Sequence, residues 1–327
     1  MNIQDVAKLA GVSRTTVSRY LNGGYVSDEK KEQIRKVIEE TGYRPISQAQ
    51  MLRTKKTGLV GVILPKISSD TVSRMVAGIS SVLRKSGYQI LLGNTDNDIE
   101  EELQYLSLFR ENRVDGIIFI ATIFTPRHKN LLKECTVPIV ILGQKLDGYS
   151  SVYQDDYNAA REMTLLLLKN GKRPAYIGVT VRDEAAGLNR KKGFEDAVRE
   201  CGALCPPERM QEADFSVESG KEKMEQLLKE APDTDCVFCA TDSIAAGAML
   251  ALKEAGRQIP EDVQVAGIGD TQMAYLISPR LSTVRFHYQT AGEEAAGLLV
   301  GAMENGSAVT REIRLGYEVI RMESVLA

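Results

Sequence analysis

The chain has 327 residues, 43% of them hydrophobic, with 41 Lys and Arg against 44 Asp and Glu. That length allows two or three units with sizeable cores, and a net charge of −3, taken alone, argues against a nucleic-acid partner. There is no secretory signal at the N-terminus, no run near the ~18 apolar residues of a membrane span, and no disulfide framework in five cysteines, so a cytoplasmic location is expected.

The charge is unevenly placed. Residues 1–58 hold eleven Lys/Arg and six Asp/Glu, a balance of +5, and the rest holds 30 against 38, a balance of −8. In this basic head, Ile3, Val6, Ala7 and Ala10 recur at helical spacing, and Gly11 ends the run. Ser13 is placed to cap a second helix, on which Thr15, Ser18 and Arg19 share one sector and Val17, Tyr20 and Leu21 the opposite one. A third helix is expected from Ser27, capped by Ser27 or Asp28, with Ile34, Val37 and Ile38 as its buried stripe. Two short helices about Gly-Val-Ser make a helix-turn-helix pattern with a polar, basic face for a major groove. The same residues also suit a three-helix packing module with a solvated face. Residues 45–57 are polar and basic apart from Ile46, Met51 and Leu52, and read as a linker.

From Leu59 onward short apolar runs alternate with helical stretches. Strands are expected at Leu59–Leu64, Tyr88–Leu92, Val114–Ile120, Val137–Leu142, Ala175–Val179, Cys236–Ala240, Val263–Ile268, Leu281–Phe286 and Glu312–Met322. Between most of them lie helices such as Thr71–Ser86, Ile99–Asn112, Asn158–Asn170, Gly187–Cys201 and Ser243–Ala255. Strands apolar on both faces, separated by helices, indicate parallel sheets covered on each side. The strand number exceeds one sheet, so two similar α/β lobes are expected, with a ligand crevice at the carboxyl ends of their strands. Cys236 and Cys239 form a C-x-x-C, but odd spacing in a strand sends the thiols to opposite faces, which favours packing over a metal site. His128 and His287 stand in no recognisable base–nucleophile pairing and read as ordinary surface or pocket residues. No nucleophile elbow, phosphate loop or dinucleotide fingerprint is present. Neither catalysis nor a metal or cofactor is expected.

The stretch Asp5-Val6-Ala7-Lys8-Leu9-Ala10-Gly11-Val12-Ser13, followed by Thr16-Val17-Ser18-Arg19, resembles the signature of the lactose/galactose repressor family. Tyr25-Val26-Ser27, Val114-Asp115-Gly116-Ile117-Ile118, Ala240-Thr241-Asp242 and Leu281-Ser282-Thr283-Val284 continue the resemblance through the body. It implies a small all-α helix-turn-helix head (1–44), a hinge helix (45–57) and a two-lobed body (58–327) like the type I periplasmic binding proteins. The lobes would take about 58–156 with 288–316, and 157–287 with 317–327. It further implies Arg14, Thr15 and Arg19 as base readers, with Ser13, Thr16, Ser18 and Asn22 on phosphates. Leu52 would be the hinge leucine wedged between base pairs, although Ile46 departs from the asparagine usual after that proline. The expected partners are a pseudo-palindromic operator, a second copy of the chain, and a small sugar that releases the DNA; a corepressor-dependent regulator is the alternative, and a sugar-handling enzyme a distant one.

In the crevice the resemblance implies Arg190 as a clamp on the ligand, Thr241 and Asp242 as a polar pair, and Phe215 as an aromatic platform. Gly267-Ile268-Gly269-Asp270, Gly143-Gln144 and Ser69-Asp70-Thr71 depart from the family's usual residues, which puts Asp270, Gln144, Ser69 and Asp70 at the site in their place, with Phe286 and Tyr288 as possible substitutes for missing carboxylates. A neutral, multi-hydroxyl sugar fits such groups better than a purine. Ile268-Gly269-Asp270 and Phe286-His287-Tyr288 are similar to sucrose-type members of the family.

Overall fold

The structure is a computed structural model that describes residues 1–21, 23–43, 56–111, 114–306 and 309–326. Asn22, Leu52 and residues 45–55 of the expected hinge lie outside the described residues. Met1–Thr57 and Gly58–Ala327 are two compact units.

In the first unit, α1 (Ile3–Leu9) is closed by a reciprocal cap: Asn2 Oδ1 accepts from the Gln4 and Asp5 amides, and Asp5 Oδ2 accepts from the Asn2 amide. Gly11, at φ +63°, makes the turn into α2 (Arg14–Leu21), and Ser13 Oγ accepts from the Thr16 amide at 3.1 Å, the cap read from the sequence. α3 (Asp28–Thr41) follows; Ser27 holds the cap position, but its side chain makes no capping hydrogen bond. Val6, Ala7, Ala10, Val17, Ile34 and Tyr43 close the core, with Tyr20, Leu21, Val37 and Ile38 half-buried against them.

The second unit opens with β1 (Leu59–Leu64), α4 (Asp70–Lys85), β2 (Gln89–Asn94), α5 (Ile99–Glu111), β3 (Gly116–Ile120), α6 (Pro126–Glu134), β4 (Ile139–Leu142) and β5 (Ser150–Gln154). With a later strand, β11 (Glu312–Leu315), these form a six-stranded parallel sheet in the order β11-β5-β4-β3-β1-β2. β1 shows why the runs read as apolar throughout: Val60, Val62 and Leu64 join one buried cluster while Ile63 joins another, with Leu106 and Phe109.

The chain passes at Asp155 into α7 (Asp156–Leu168), β6 (Pro174–Gly178), a π-helical turn Glu184–Asn189, α8 (Arg190–Glu200), β7 (Met210–Glu212), α9 (Val217–Glu230), β8 (Cys236–Cys239), α10 (Asp242–Glu254), β9 (Gln264–Ala266), α11 (Gln272–Leu276) and β10 (Thr283–Phe286). The second sheet is parallel, in the order β7-β6-β8-β9. α12 (Tyr288–Asn305) returns to the first sheet, and after β11 the chain crosses again at Gly316 into β12 (Tyr317–Ile320). Glu312–Met322 is therefore two strands in two sheets, where the sequence suggested one. β12 pairs antiparallel with β10, and the Leu281–Phe286 segment also touches the second sheet in parallel, through the Ala266–Ser282 bridge. β5 and β7, which carry mixed polar sequence, were not among the expected strands.

Three helix pairs approach backbone to backbone at glycines. A Cβ on Gly78 of α4 would lie 2.0 Å from the Gln289 carbonyl oxygen, and one on Gly292 of α12 would lie 2.0 Å from that of Met75. Gly193 sets α8 against α7, 2.3 Å by the same measure from the Tyr157 oxygen; Gly220 and Gly247 set α9 against α10, at 2.4 and 2.0 Å from Ile244 and Val217 oxygens. Gly292→Ala is expected to destabilise the protein by about 1–3 kcal/mol through overpacking, a fall of several degrees in melting temperature. Gly297→Ala is the control, because a Cβ there meets nothing within 4 Å on the same helix; it should leave stability unchanged or raise it by up to ~1 kcal/mol.

Candidate functional site

Two surfaces carry the residues singled out from the sequence. On the first unit Ser13, Arg14, Thr15 and Arg19 are exposed along α2, and Thr16 and Ser18 are half-buried beside them. Opposite them Val17 is fully buried, so the polar face is presented by a helix whose other side is held in the core. Ser13 Oγ lies 2.8 Å from Thr16 Oγ1, which ties the two hydroxyls together at the helix start. A Cβ on Gly24 would lie 2.6 Å from Arg19 Cγ, so glycine there leaves room for the arginine stem. The short helix, its donors and its exposed guanidinium groups suit base edges and phosphates in a major groove.

The second surface is a cavity of about 550 Å³ in the body, within the range of small-molecule sites. It is rimmed by helix N-termini: Ser69, Asp70 and Thr71 at α4, Asp156 at α7, Arg190 at α8, Ser216 and Val217 at α9, Thr241 and Asp242 at α10, and Tyr288 at α12. The three glycine-set pairs are α4 with α12, α7 with α8 and α9 with α10, so each close crossing fixes the separation of two of these ends. Ser69 Oγ, Ser216 Oγ and Thr241 Oγ1 each cap their own helix, accepting from the Val72, Ser219 and Ile244 amides, which satisfies one first-turn amide in each.

Six of the nine expected effector residues line this cavity: Ser69, Asp70, Arg190, Phe215, Thr241 and Asp242. Arg190 is buried; its Nε donates to Asp156 Oδ1 at 2.7 Å, its Nη1 donates to the Ala240 carbonyl, and its guanidinium lies 5.6 Å from the Phe286 ring centroid. Burial opposes its charge, but Asp156 holds the guanidinium above its usual range. Burial also pushes the Asp156 carboxyl up, against the pull of Arg190. Asp242 accepts from Thr271 N at 2.8 Å, Thr271 Oγ1 at 3.0 Å and Thr283 Oγ1 at 2.6 Å, and burial outweighs these bonds to raise its carboxyl. It therefore anchors the Gly267–Thr271 loop as well as facing the cavity.

Gln144, Asp270 and Phe286 do not line it. Gln144 turns its amide nitrogen to the Thr122 carbonyl and to Asp183 Oδ1 at 3.4 Å. Asp270 is taken by Arg285 Nε at 2.6 Å and Tyr275 Oη at 2.5 Å. Phe286 is buried beneath Arg190, edge-on to Tyr288. Sequence reasoning missed Gln154, Asp156 and Asp183, all buried and all on the wall. His128 is neither at the surface nor in this cavity: it is fully buried under α5, its Nε2 3.0 Å from Glu102 Oε2. Cys236 and Cys239 are both buried, and burial pushes both thiols up. Across the cavity mouth Arg74 Nη2 donates to the Gly269 carbonyl at 2.5 Å, while the guanidinium pairs with Asp70 at 3.0 Å and lies 5.0 Å from the Tyr288 ring centroid.

Burial pushes the Asp183 carboxyl up to about 6, against the Ala186 amide that it accepts at 2.9 Å. Between about pH 4 and 6 the folded chain keeps a proton that the unfolded chain has released, so this group's contribution to stability falls as pH rises through that window and is constant above it. Asp183→Asn keeps the acceptor and removes the charge. Its unfolding free energy should exceed that of the parent by a margin that grows from pH 4 to 6 and levels off above pH 7 at no more than about 3 kcal/mol; a margin that shrinks with pH would contradict the assignment.

The chain is similar to known proteins in both of its units. Residues 2–45 match the bacterial regulatory proteins of the lacI family, and residues 165–325 match a periplasmic binding protein-like domain. The chain is 32% identical over 295 residues to the sucrose operon repressor of Staphylococcus xylosus, covering 90% of this chain and 91% of that one. Among solved structures it is similar to a complex of the transcriptional regulator CelR with cellobiose, at TM-score 0.77 and 28% identity over 99% of each chain. It shares its fold with a lac repressor dimer bound to operator, at TM-score 0.91 and 24% identity, over 100% of this chain and 99% of that one. The chain belongs to the lacI family of bacterial regulatory proteins, and it is a DNA-binding transcriptional regulator rather than an enzyme.

Proposed function

We propose that this regulator represses a carbohydrate-utilisation operon in the cytoplasm, gripping a pseudo-palindromic operator as a homodimer and leaving it when a sugar or sugar phosphate fills the body cavity. The observation that carries this is the pairing, in one chain, of an exposed Ser13–Arg19 face on a helix-turn-helix with a 550 Å³ cavity rimmed by polar helix ends. The similarity to a sucrose operon repressor and to a cellobiose-bound regulator supports a saccharide as the effector.

One helix-turn-helix reads too little DNA for tight, specific binding, so two heads on two half-sites are required. Arg14, Thr15 and Arg19 read bases; Ser13, Thr16, Ser18 and Asn22 position the helix on phosphates, and Leu52 wedges the minor groove. In the body the lobes are 58–156 with 288–316 and 157–287 with 317–327, hinged about the crossings at Asp155, His287 and Gly316. Ligand contacts that draw the lobes together shift the population away from the operator-binding arrangement.

The test is fluorescence anisotropy at fixed salt on an operator selected from a palindromic library. Arg14→Ala and Arg19→Ala should each weaken operator binding by roughly 10- to 100-fold and relax selectivity at one position per half-site, the 1–3 kcal/mol of a bidentate contact. Thr16→Ala should weaken specific and nonspecific DNA alike. A chain that selects no palindrome at moderate salt is not such a repressor. Sucrose, cellobiose or a related sugar should raise the apparent Kd for operator, with a thermal shift of the ligand-bound chain in the same titration.

A further inference from the structure

Arg74 stands in the second turn of α4, the helix that joins β1 to β2 in the first sheet. Its Nη2 donates at 2.5 Å to the carbonyl of Gly269, in the loop that follows β9 of the second sheet, and lies 3.0 Å from Asp70 Oδ2. The guanidinium is also 5.0 Å from the Tyr288 ring centroid, so a carboxylate and an aromatic ring both steady the cation. Its Nε is enclosed and has no hydrogen-bond partner among the described residues. A guanidinium turned out to solvent would keep that donor hydrated; this one forgoes it and bonds across the cavity edge.

The far end of the bridge is constrained as well. Gly269 stands at φ +147° and Asp270 at φ +49°, backbone that glycine adopts readily and other residues seldom. Thr271 donates to Asp242 Oδ2 from its amide at 2.8 Å and from its hydroxyl at 3.0 Å, and the Asp270 amide donates to Thr283 Oγ1 at 3.1 Å. Asp70, Val72 and Met75 of α4 line the cavity, and so do Ile268 and Thr271 of the loop. Arg74 therefore joins two segments, one from each sheet, that a molecule in the cavity would meet. A hydrogen bond of this kind is lost when its ends part by about 1 Å, so it belongs to the arrangement in which the two sides are drawn together.

We propose that Arg74 is a positioning residue of the effector response: by tying the Gly267–Thr271 loop to α4 it favours the drawn-together arrangement that retains the sugar, and so sets the sugar concentration at which the operator is released. This rests on the effector function proposed above. The sugar and the Arg74 bond favour the same arrangement, so removing the bond shifts the population toward operator binding, and more sugar is needed to reverse it. Arg74 acts here through the loop and α4, and is not itself on the cavity lining.

The experiment is operator anisotropy on the full chain at fixed salt, titrated with sucrose, cellobiose, ribose, glucose, fructose, sucrose 6-phosphate and glucose 6-phosphate. The compound that releases the parent chain is then titrated into Arg74→Gln and Arg74→Lys. In Arg74→Gln the half-releasing concentration should rise about tenfold or more, the size of one charge-assisted hydrogen bond, while operator affinity without sugar stays equal or tightens. Arg74→Lys keeps one charged donor and should fall between the parent and the glutamine variant. Arg74→Met, which keeps an apolar stem beside Tyr288, replaces the glutamine variant should that chain not fold. An unchanged half-releasing concentration, with or without a fall in melting temperature, would make Arg74 structural and overturn its role, leaving the effector function standing. Weaker operator binding by sugar-free Arg74→Gln would assign the bond to the operator-binding arrangement and overturn the proposal as well. Release of the parent chain by none of the seven compounds, with operator binding intact, would overturn the saccharide effector and the role of Arg74 with it.

Discussion

Where Gly78 meets Gln289, Gly193 meets Tyr157, and Gly247 meets Val217, helix backbones come so close that an added Cβ would sit 2.0–2.3 Å from a carbonyl oxygen. No rotamer relieves such a contact, because Cβ has no rotamers; the helices themselves would have to move. Gln289, Tyr157, Gly193 and Val217 lie in the first turn or so of their helices, with Gly78 and Gly247 further along theirs, and the N-terminal ends of these six helices supply Asp70, Tyr288, Asp156, Arg190, Val217 and Asp242 to the cavity. The wall is thus positioned by backbone contact rather than by the flexible side chains that face the ligand. A site needs its groups held within a fraction of an ångström, and rigid elements crossing at glycine supply that tolerance.

Such a frame brings like charges together, and the local chemistry is the consequence. Helix N-termini favour carboxylates, so Asp70, Asp156 and Asp242 each open a helix at the cavity. Placed there and buried, Asp156 and Asp242 are pushed up by desolvation, and Asp183, capping the π-helical turn, is pushed up to about 6. Arg190 offsets one of them at 2.7 Å and is steadied by the Phe286 ring. Removing either member of that pair would leave an uncompensated buried charge, which costs more than the pair itself contributes.

How much of this was legible in the sequence divides along contact range. Val6, Val17 and Ile34 announce the head core because helical spacing is a local property, and the Ser13 cap is legible for the same reason. Ser27 shows the limit, since the residue holds the cap position without making the bond. In the body, β1, β3 and β4 are continuous apolar runs and were legible; β5 reads Ser-Ser-Val-Tyr-Gln and was not, because its burial comes from pairing with β4 and β11. Missing β5 concealed Gln154 at its end. Arg190, Phe215 and Asp242 were placed through resemblance in local motifs and do line the cavity, whereas Asp183 joins that lining through its burial beside Gln144, 39 residues away. Phe286 and Asp270 are off the cavity lining, because the motif marks their position in the chain while packing puts Phe286 against Arg190 and Asp270 against Arg285.

A ligand moves a conformational equilibrium only by the difference between its affinities for the two arrangements. A cavity already satisfied in its ligand-free form has little such difference to offer. This one holds three buried carboxylates, Asp156, Asp183 and Asp242, against one buried guanidinium, Arg190. Arg74 and Gln144 already bridge residues of the two sheets' helices and loops, through the Gly269 carbonyl and Asp183. Ligand groups that reach Asp183 or shift the Gly267–Thr271 loop must therefore act on the contacts that set the lobe arrangement. Recognition and regulation share these residues, so selectivity for the effector and the size of its effect on DNA are expected to change together when either bridge is altered.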